Sequence, residues 1–443
     1  MGIFKAYDVR GLYPSEINEA LAYNVGRAFV TFLKAKKVAV GIDMRHSSKS
    51  LYKNLAKGIT DQGADVYFIG MVTTPLLNFT VAHYKFDGGI MISASHNPGQ
   101  YNALKLIKYP VVQLGSETGM SHIEELATKG NFKTAKKGKL YKKNPFKDYL
   151  KHVVSHAKIK DVKVVVDYGN GVGSLTAEPA FTKIKLKRNV LFKKPDGNFP
   201  NHEANPHELK NFQFLQDEVK KQKADLGIFF DGDADRAIFI DEHAEIIPPD
   251  FSLCLLAMEE LKPKQKVFYD LRFSKVVKEK ILEHKGIPIM EKVGNPIYKE
   301  ALLKSKGLLG GEFSGHVMFK ENYYIDDGLF CTVKFLNIVS KAKKEGKAIS
   351  ALIKPLQKYV QTPEINIQLK SHDEKQAILK KIREHYQQKK LYFLDGVTVE
   401  STDFWFNIRA SNTEPLIRIR IEADNQIILE KVKKELLSLI GQN

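Results

Sequence analysis

Four short loops carry the residue types that do chemistry. In one, Asp231, Asp233 and Asp235 alternate directly after the apolar run 226–230. Alternation at a strand end turns the three carboxylates together, where they repel one another. A hard cation that takes oxygen ligands, Mg2+ in the simplest case, relieves the repulsion; an acidic turn is the plainer alternative. In a second loop, Ser95 and His96 follow the apolar run 90–92 and precede the turn residues Asn97, Pro98 and Gly99. Pro98 pushes Asn97 extended and Gly99 permits positive φ. On extended chain neighbouring side chains point apart, so Ser95 and His96 are expected to make a poor nucleophile–base pair. On residue types alone such a stretch is more often a strand-end turn. In a third loop Glu312, Ser314 and His316 alternate, a mix of acceptors and donors suited to a hydroxyl-rich ligand, though a surface turn has the same composition. Near the C-terminus Arg409, Ser411, Asn412 and Thr413 gather a guanidinium fork and short polar donors, which can cradle a phosphate.

The elements around these loops repeat. An apolar strand over 37–43, a helix over 48–63, a strand over 66–70 and a helix over 74–83 lead to the serine loop, and a helix begins near Ser15 and Glu16 ahead of them. The strand opening recurs at 163–167 and 266–270, and each recurrence leads to a second apolar strand ending in one of the polar loops. Strand–helix alternation of this kind predicts a doubly wound α/β sheet with helices on both faces, whose ligands bind at strand ends. From residue 362 the pattern changes. A half-exposed strand at 365–369, a helix over 373–388, antiparallel strands over 392–408 and 416–422 and a last helix over 425–440 make a smaller α+β unit.

At 443 residues the chain must divide into several domains. Its net charge of +18 admits either nucleic acid or an anionic small molecule as partner. The basic residues are spread along the chain. The densest stretch, 133–147, holds Gly138, Tyr141 and Pro145 and reads as an exposed hairpin or linker. No zinc-finger spacing or aromatic RNA-binding signature accompanies it, so nucleic acid is not the expected partner. No apolar run approaches the ~20 residues of a membrane span, and no signal-peptide pattern opens the chain. Cys254 and Cys331 lie in apolar surroundings and form no disulfide framework, which fits the cytoplasm.

The string Ser93-Ala94-Ser95-His96-Asn97-Pro98, with Tyr101-Asn102 and Lys105 downstream, resembles the active-site loop of the α-D-phosphohexomutases. The opening with Tyr7 and Arg10, the Asp231–Arg236 loop, the Glu312–His316 loop and the Arg409–Thr413 loop resemble that family's other motifs, in order, over nearly the whole chain. The match is strongest to the phosphomannomutase/phosphoglucomutase branch; phosphoglucosamine mutase is the alternative within the family. Outside it, a metal-dependent phosphomonoesterase or a basic nucleic-acid-binding protein are the rivals.

The resemblance implies three similar doubly wound α/β domains, 1–145, 146–247 and 248–361, a smaller α+β domain, 362–443, and an active site in the central cleft. It implies interconversion of hexose 1-phosphate and hexose 6-phosphate, with mannose or glucose as the sugar and a hexose 1,6-bisphosphate as intermediate and activator. Ser95 would carry the phosphoryl group and, with Asp231, Asp233 and Asp235, hold Mg2+. Lys105 and His316 would move protons, and Arg10, His96 and Arg236 would stabilise the transferring group. Tyr7, Arg272, Asn295, Glu312 and Ser314 would meet the substrate, and Arg409, Ser411, Asn412 and Thr413 its distal phosphate. The expected partner is the phosphosugar alone, and the expected assembly a monomer or weak homo-oligomer. The sequence departs from the branch at Asn295, where a histidine is usual, and at Arg272, where lysine is.

Overall fold

The computed structural model describes residues 2–133, 135–369, 371, 373–410 and 416–441. Three sheets are built on one plan. In the first, Lys37–Ile42 lies between Gly88–Ile92 and Asp65–Met71, all parallel. Lys163–Asp167 lies in the same way between Leu226–Phe230 and Lys187–Leu191. Lys266–Asp270 does so between Leu309–Gly311 and Ile287–Glu291. The chain thus crosses from one side of its first strand to the other, the arrangement that opens a crevice at the strands' carboxyl ends. Each third strand then turns back into an antiparallel one, Tyr101–Lys108, Ala237–Ile240 or Val317–Phe319. The three polar loops are these three turns.

Side-chain alternation explains the helices on both faces. Val38 and Val40 meet Leu51 and Leu55 of the helix Ser48–Asp61 on one side. Ala39 and Met91 meet Leu76 and Leu77 of the helix Thr74–His83 on the other. That second face continues without a break into the other two sheets, so Phe79, Phe181, Phe230, Val267 and Phe330 share one core.

The fourth sheet is antiparallel and has a core of its own. It runs Val360–Gln361, Leu416–Ala423, Phe404–Ala410, Val397–Glu400, Lys390–Tyr392, with Ile365–Gln368 also paired to Leu416–Ala423. Phe406, Ile408, Ile419 and Ile421 face the helices Asp373–His385 and Gln426–Ile440. Arg409 and Arg420 alternate with them and face the other way.

Several local expectations need correction. The first helix is Glu19–Leu33, started by Asn18, whose side chain accepts from Leu21 N at 3.0 Å. In the opening, Val9–Leu12 forms a strand that the sequence pattern did not mark, paired antiparallel with Tyr101–Lys108. Within 133–147, Leu140–Lys142 adds an exposed parallel strand to the edge of the first sheet, where a hairpin or linker was expected. Among the described residues no helix is long and apolar enough to cross a membrane.

Candidate active site

Ser95, not Gly99, takes the left-handed backbone, at φ 49°. This corrects the expectation that Ser95 and His96 point apart. Left-handed φ breaks the alternation of extended chain, and His96 Nδ1 comes to 3.2 Å from Ser95 Oγ. Ser95 Oγ donates to Asp231 Oδ2 at 2.7 Å and accepts from Arg236 Nη2 at 2.9 Å. Arg236 also donates to His96 Nδ1, so that nitrogen carries no proton. Burial, then the charges of Arg236 and Arg10, push the His96 imidazolium far down, and the ring is neutral. Arg10 spans the loop, donating to Ala94 O at 3.1 Å and to Asn97 Oδ1, while Asp8 holds its other edge.

The acidic loop backs onto this serine. Gly232 lets them touch: a Cβ there would lie 2.4 Å from Ser95 O. Asp231, Asp233 and Asp235 are buried, and one oxygen from each lies within 4.8 Å of the others. Lys105 Nζ donates to Asp233 Oδ2 at 2.6 Å and to Asp235 Oδ2 at 2.8 Å, and Thr74 at the start of its helix donates to Asp233. Burial, then repulsion from Asp235 and Asp233, push the Asp231 carboxyl up against the pull of Arg236. Burial acts upward on Asp235 too, but Lys105 and His316 overcome it and hold that carboxyl well below the usual range. Asp233 Oδ1 is buried with no hydrogen-bond partner. A buried, unpaired carboxylate oxygen is costly in itself, and beside two more carboxylates it fits a hard cation.

Opposite stands the third loop. Glu312 accepts from Asn295 Nδ2 at 2.9 Å, and Ser314 Oγ lies 2.8 Å from His316 Nδ1. The other ring nitrogen of His316 is 3.3 Å from Asp235 Oδ1, which ties this loop to the acidic one. Asn295 Nδ2 also donates to Asp326 Oδ1 at 3.1 Å, and the buried Lys299 completes the pair on Asp326 Oδ2 at 2.5 Å. Arg272 is locked onto Asp270, Nε to Oδ1 2.8 Å, and lies over the Phe313 ring. The cleft between the loops has a volume of ≈ 630 Å³, and Tyr7, Arg10, Lys105 and Arg272 also line it. Arg409 stands behind the wall, joined through Glu364 at 2.8 Å. Ser411, Asn412 and Thr413 lie outside the described residues.

Sequence reasoning missed four participants. His207 lines the cleft, open to solvent, with Nε2 3.4 Å from Arg236 Nη1 and its ring edge-on to His96. The protein on the cleft side of the ring, then Arg236, lower its pKa to about 4, although its outer side is exposed. A lone histidine in an irregular loop carries no pattern. Lys299 and Asp326 read as ordinary helix and loop charges. Arg45 had a signal that went unread. Asp43-x-Arg45 and Asp270-x-Arg272 stand at the same strand end in two repeats. Asp43, Asp167 and Asp270 each accept a backbone N–H two residues on, at 3.0, 2.8 and 3.0 Å. Each also holds one basic side chain, Arg45, His202 or Arg272.

Family models match this chain from end to end. They are phosphoglucomutase/phosphomannomutase alpha/beta/alpha domain I at residues 1–134, domain II at 145–244, domain III at 248–359 and the C-terminal domain at 364–439. The chain belongs to the phosphoglucomutase/phosphomannomutase family. It is an α-D-phosphohexomutase-family enzyme, a mutase with the four-domain α/β architecture of that family. It is 34% identical to a phosphoglucomutase of Neisseria gonorrhoeae, over 100% of this chain and 97% of the relative. It is also 34% identical to a phosphomannomutase of Methanocaldococcus jannaschii, over 99% and 98%. A crystal structure of a phosphoglucomutase/phosphomannomutase family protein from Burkholderia thailandensis superposes with a TM-score of 0.91 at 31% identity, covering 100% of this chain and 98% of that one.

Proposed function

We propose that this protein interconverts hexose 1-phosphate and hexose 6-phosphate, of glucose, mannose or both, through a phosphoserine at Ser95 and a hexose 1,6-bisphosphate. The observation that carries this reading is the Ser95 hydroxyl, 2.7 Å from a buried carboxylate of the acidic triad and 2.9 Å from a buried guanidinium. A phosphoryl group there would stand beside Arg236, in place of the hydrogen that Ser95 donates to Asp231. It passes to the free hydroxyl of the sugar phosphate, breaking the Ser95 Oγ–P bond and forming a sugar O–P bond. The bisphosphate reorients, and its other phosphoryl group returns to Ser95 Oγ. Arg236, Arg10 and His96 surround the transferring oxygens. Lys105 is enclosed between two carboxylates, with 8% of its side chain exposed, and serves as a fixed positive charge. His316, at 17%, faces the cleft; against the effect of burial, Asp235 raises its pKa, so it is the neutral ring that takes the proton of the attacking hydroxyl and the imidazolium that returns it. Mg2+ held by Asp231, Asp233, Asp235 and the Ser95 phosphate would neutralise charge on the transferring group.

Glu312, Ser314, Asn295, Tyr7 and Arg272 offer the sugar-facing contacts, and Arg409 and the loop after it the distal phosphate site. The buried free thiols Cys254 and Cys331 favour a cytoplasmic setting. We also take the units to end near residues 145, 247 and 361. Phosphorus NMR on glucose 1-phosphate and mannose 1-phosphate, with Mg2+ and catalytic glucose 1,6-bisphosphate, tests the reading. Conversion to the 6-phosphate at constant ester phosphate supports it. Release of inorganic phosphate instead would assign a phosphomonoesterase.

A further inference from the structure

The side chain of Arg45 is fully buried and does not reach the cleft. All five of its N–H donors are nonetheless placed. Nη1 donates to Pro98 O at 2.6 Å and Tyr101 O at 2.8 Å. Nη2 donates to Ser95 O at 2.9 Å and Asn97 O at 2.5 Å. Nε donates to Asp43 Oδ2 at 3.1 Å. Four carbonyls of one loop therefore converge on one guanidinium. The ring of Phe199, from the second unit, packs on it with the guanidinium carbon 5.3 Å from the ring centre.

Arg272 stands at the same place in the third repeat, with the same Asp-x-Arg turn, yet its fork faces the cleft. In the first repeat the fork is turned back on its own loop. Two consequences follow. A left-handed serine persists only where its surroundings hold it, and Arg45 holds the Ser95 carbonyl itself. Carbonyl dipoles aimed at a dianion would also oppose its transfer, and here four of them are gathered on a buried cation.

We propose that Arg45 is the positioning residue of the serine loop: by collecting the carbonyls of Ser95, Asn97, Pro98 and Tyr101 it sets the backbone that delivers Ser95 Oγ to Asp231 and keeps those carbonyls off the phosphoryl group. The proposal rests on the reading of Ser95 as the phosphoryl carrier. A lysine supplies the charge with three donors and no planar fork, so it cannot hold the four carbonyls and Asp43 together.

The test uses the full chain. Transfer of phosphate from glucose 1,6-bisphosphate to Ser95 is timed by intact-protein mass spectrometry in wild type, Arg45→Lys and Arg45→Ala, beside thermal melting and KM for glucose 1-phosphate. In folded Arg45→Lys the transfer rate should fall by about a hundredfold while KM moves by less than about threefold, since a displaced serine loses chemistry and not sugar contacts. Guanidinium ion present during refolding and assay should restore transfer in Arg45→Ala, and methylammonium should not. Wild-type transfer rates in either folded variant without guanidinium, or equal rescue by both ions, overturn the proposal. A wild type that takes up no phosphate removes the Ser95 reading, and this proposal with it; normal uptake in wild type and Arg45→Lys alike removes only the role of Arg45.

Discussion

Replacing Asn295 by alanine isolates the sugar-facing wall from the phosphoryl-transfer centre. The amide makes two charge-assisted hydrogen bonds, 2.9 Å to Glu312 and 3.1 Å to Asp326, and its own Oδ1 is buried without a partner. Each such bond is worth about 1.5–3 kcal/mol when its acceptor stays buried. Both carboxylates line the cleft, so water can replace part of what is lost. A net cost of about 1–2 kcal/mol, or about 5–30-fold in kcat/KM, is expected. The loss should appear in KM, because neither carboxylate touches Ser95. A second readout comes from pH. Burial and Asp326 already raise the Glu312 carboxyl, and the Asn295 hydrogen bond lowers it. Removing the amide raises it further, so the acid limb of kcat/KM should move to higher pH. The assay is kcat and KM for glucose 1-phosphate and mannose 1-phosphate from pH 5 to 8, with Ser95 phosphorylation followed by mass. Unchanged KM for both sugars with an unmoved acid limb would refute the argument and leave Asn295 with only a structural role at the start of the helix Asn295–Ser305. Asn295→His, with one N–H for two carboxylates when neutral, should alter the ratio between the sugars.

Ser95→Ala should abolish the one-phosphate mass gain from glucose 1,6-bisphosphate together with nearly all turnover; full turnover in this variant would assign the phosphoryl group elsewhere. Asp233→Asn keeps the shape but removes one carboxylate from the triad and one partner from Lys105, so Mg2+ titrations should show weaker binding and lower kcat. An unchanged Mg2+ dependence would exclude Asp233 as a ligand. Mg2+ affinity should also fall as the solution is acidified, because the raised Asp231 carboxyl must lose its proton to bind metal. For one proton the limit is about tenfold per pH unit. Calorimetry in two buffers should find a proton released on binding, and pH-independent affinity without release would contradict the assignment.

Much of the site could be read from the sequence because three unusual loops occupy one topological position, the turn into an antiparallel strand. Asp231, Asp233 and Asp235 converge, though through a turn with Ala234 left-handed and not through strand alternation, and Glu312, Ser314 and His316 face them. What stayed hidden depended on partners far away in the chain. The Ser95–His96 geometry rests on a left-handed serine, a conformation its own type disfavours and that Arg45 and Arg10 hold from other segments. Arg45 shares its Asp-x-Arg spacing with the third repeat, but the backbone oxygens it binds leave no trace in residue identity. Lys299 looks like any solvent-facing lysine of a helix until Asp326 folds over it. The edge strand Leu140–Lys142 has no buried residue, so no apolar pattern could announce it.

The continuous core of the first three sheets and the separate core of the fourth bear on how the protein comes apart. Elements that share buried side chains lose them together, whereas a module with its own core can open alone. The first three units should therefore melt as one cooperative block. The C-terminal unit meets the third through polar contacts such as those of Lys275 to Asp424 and Glu422. It can loosen at lower cost and expose the chain near Thr362 to protease while the rest stays folded. An enzyme built this way can release one wall of its cleft without disturbing the serine, the acidic triad or the sugar-facing loop on the other three.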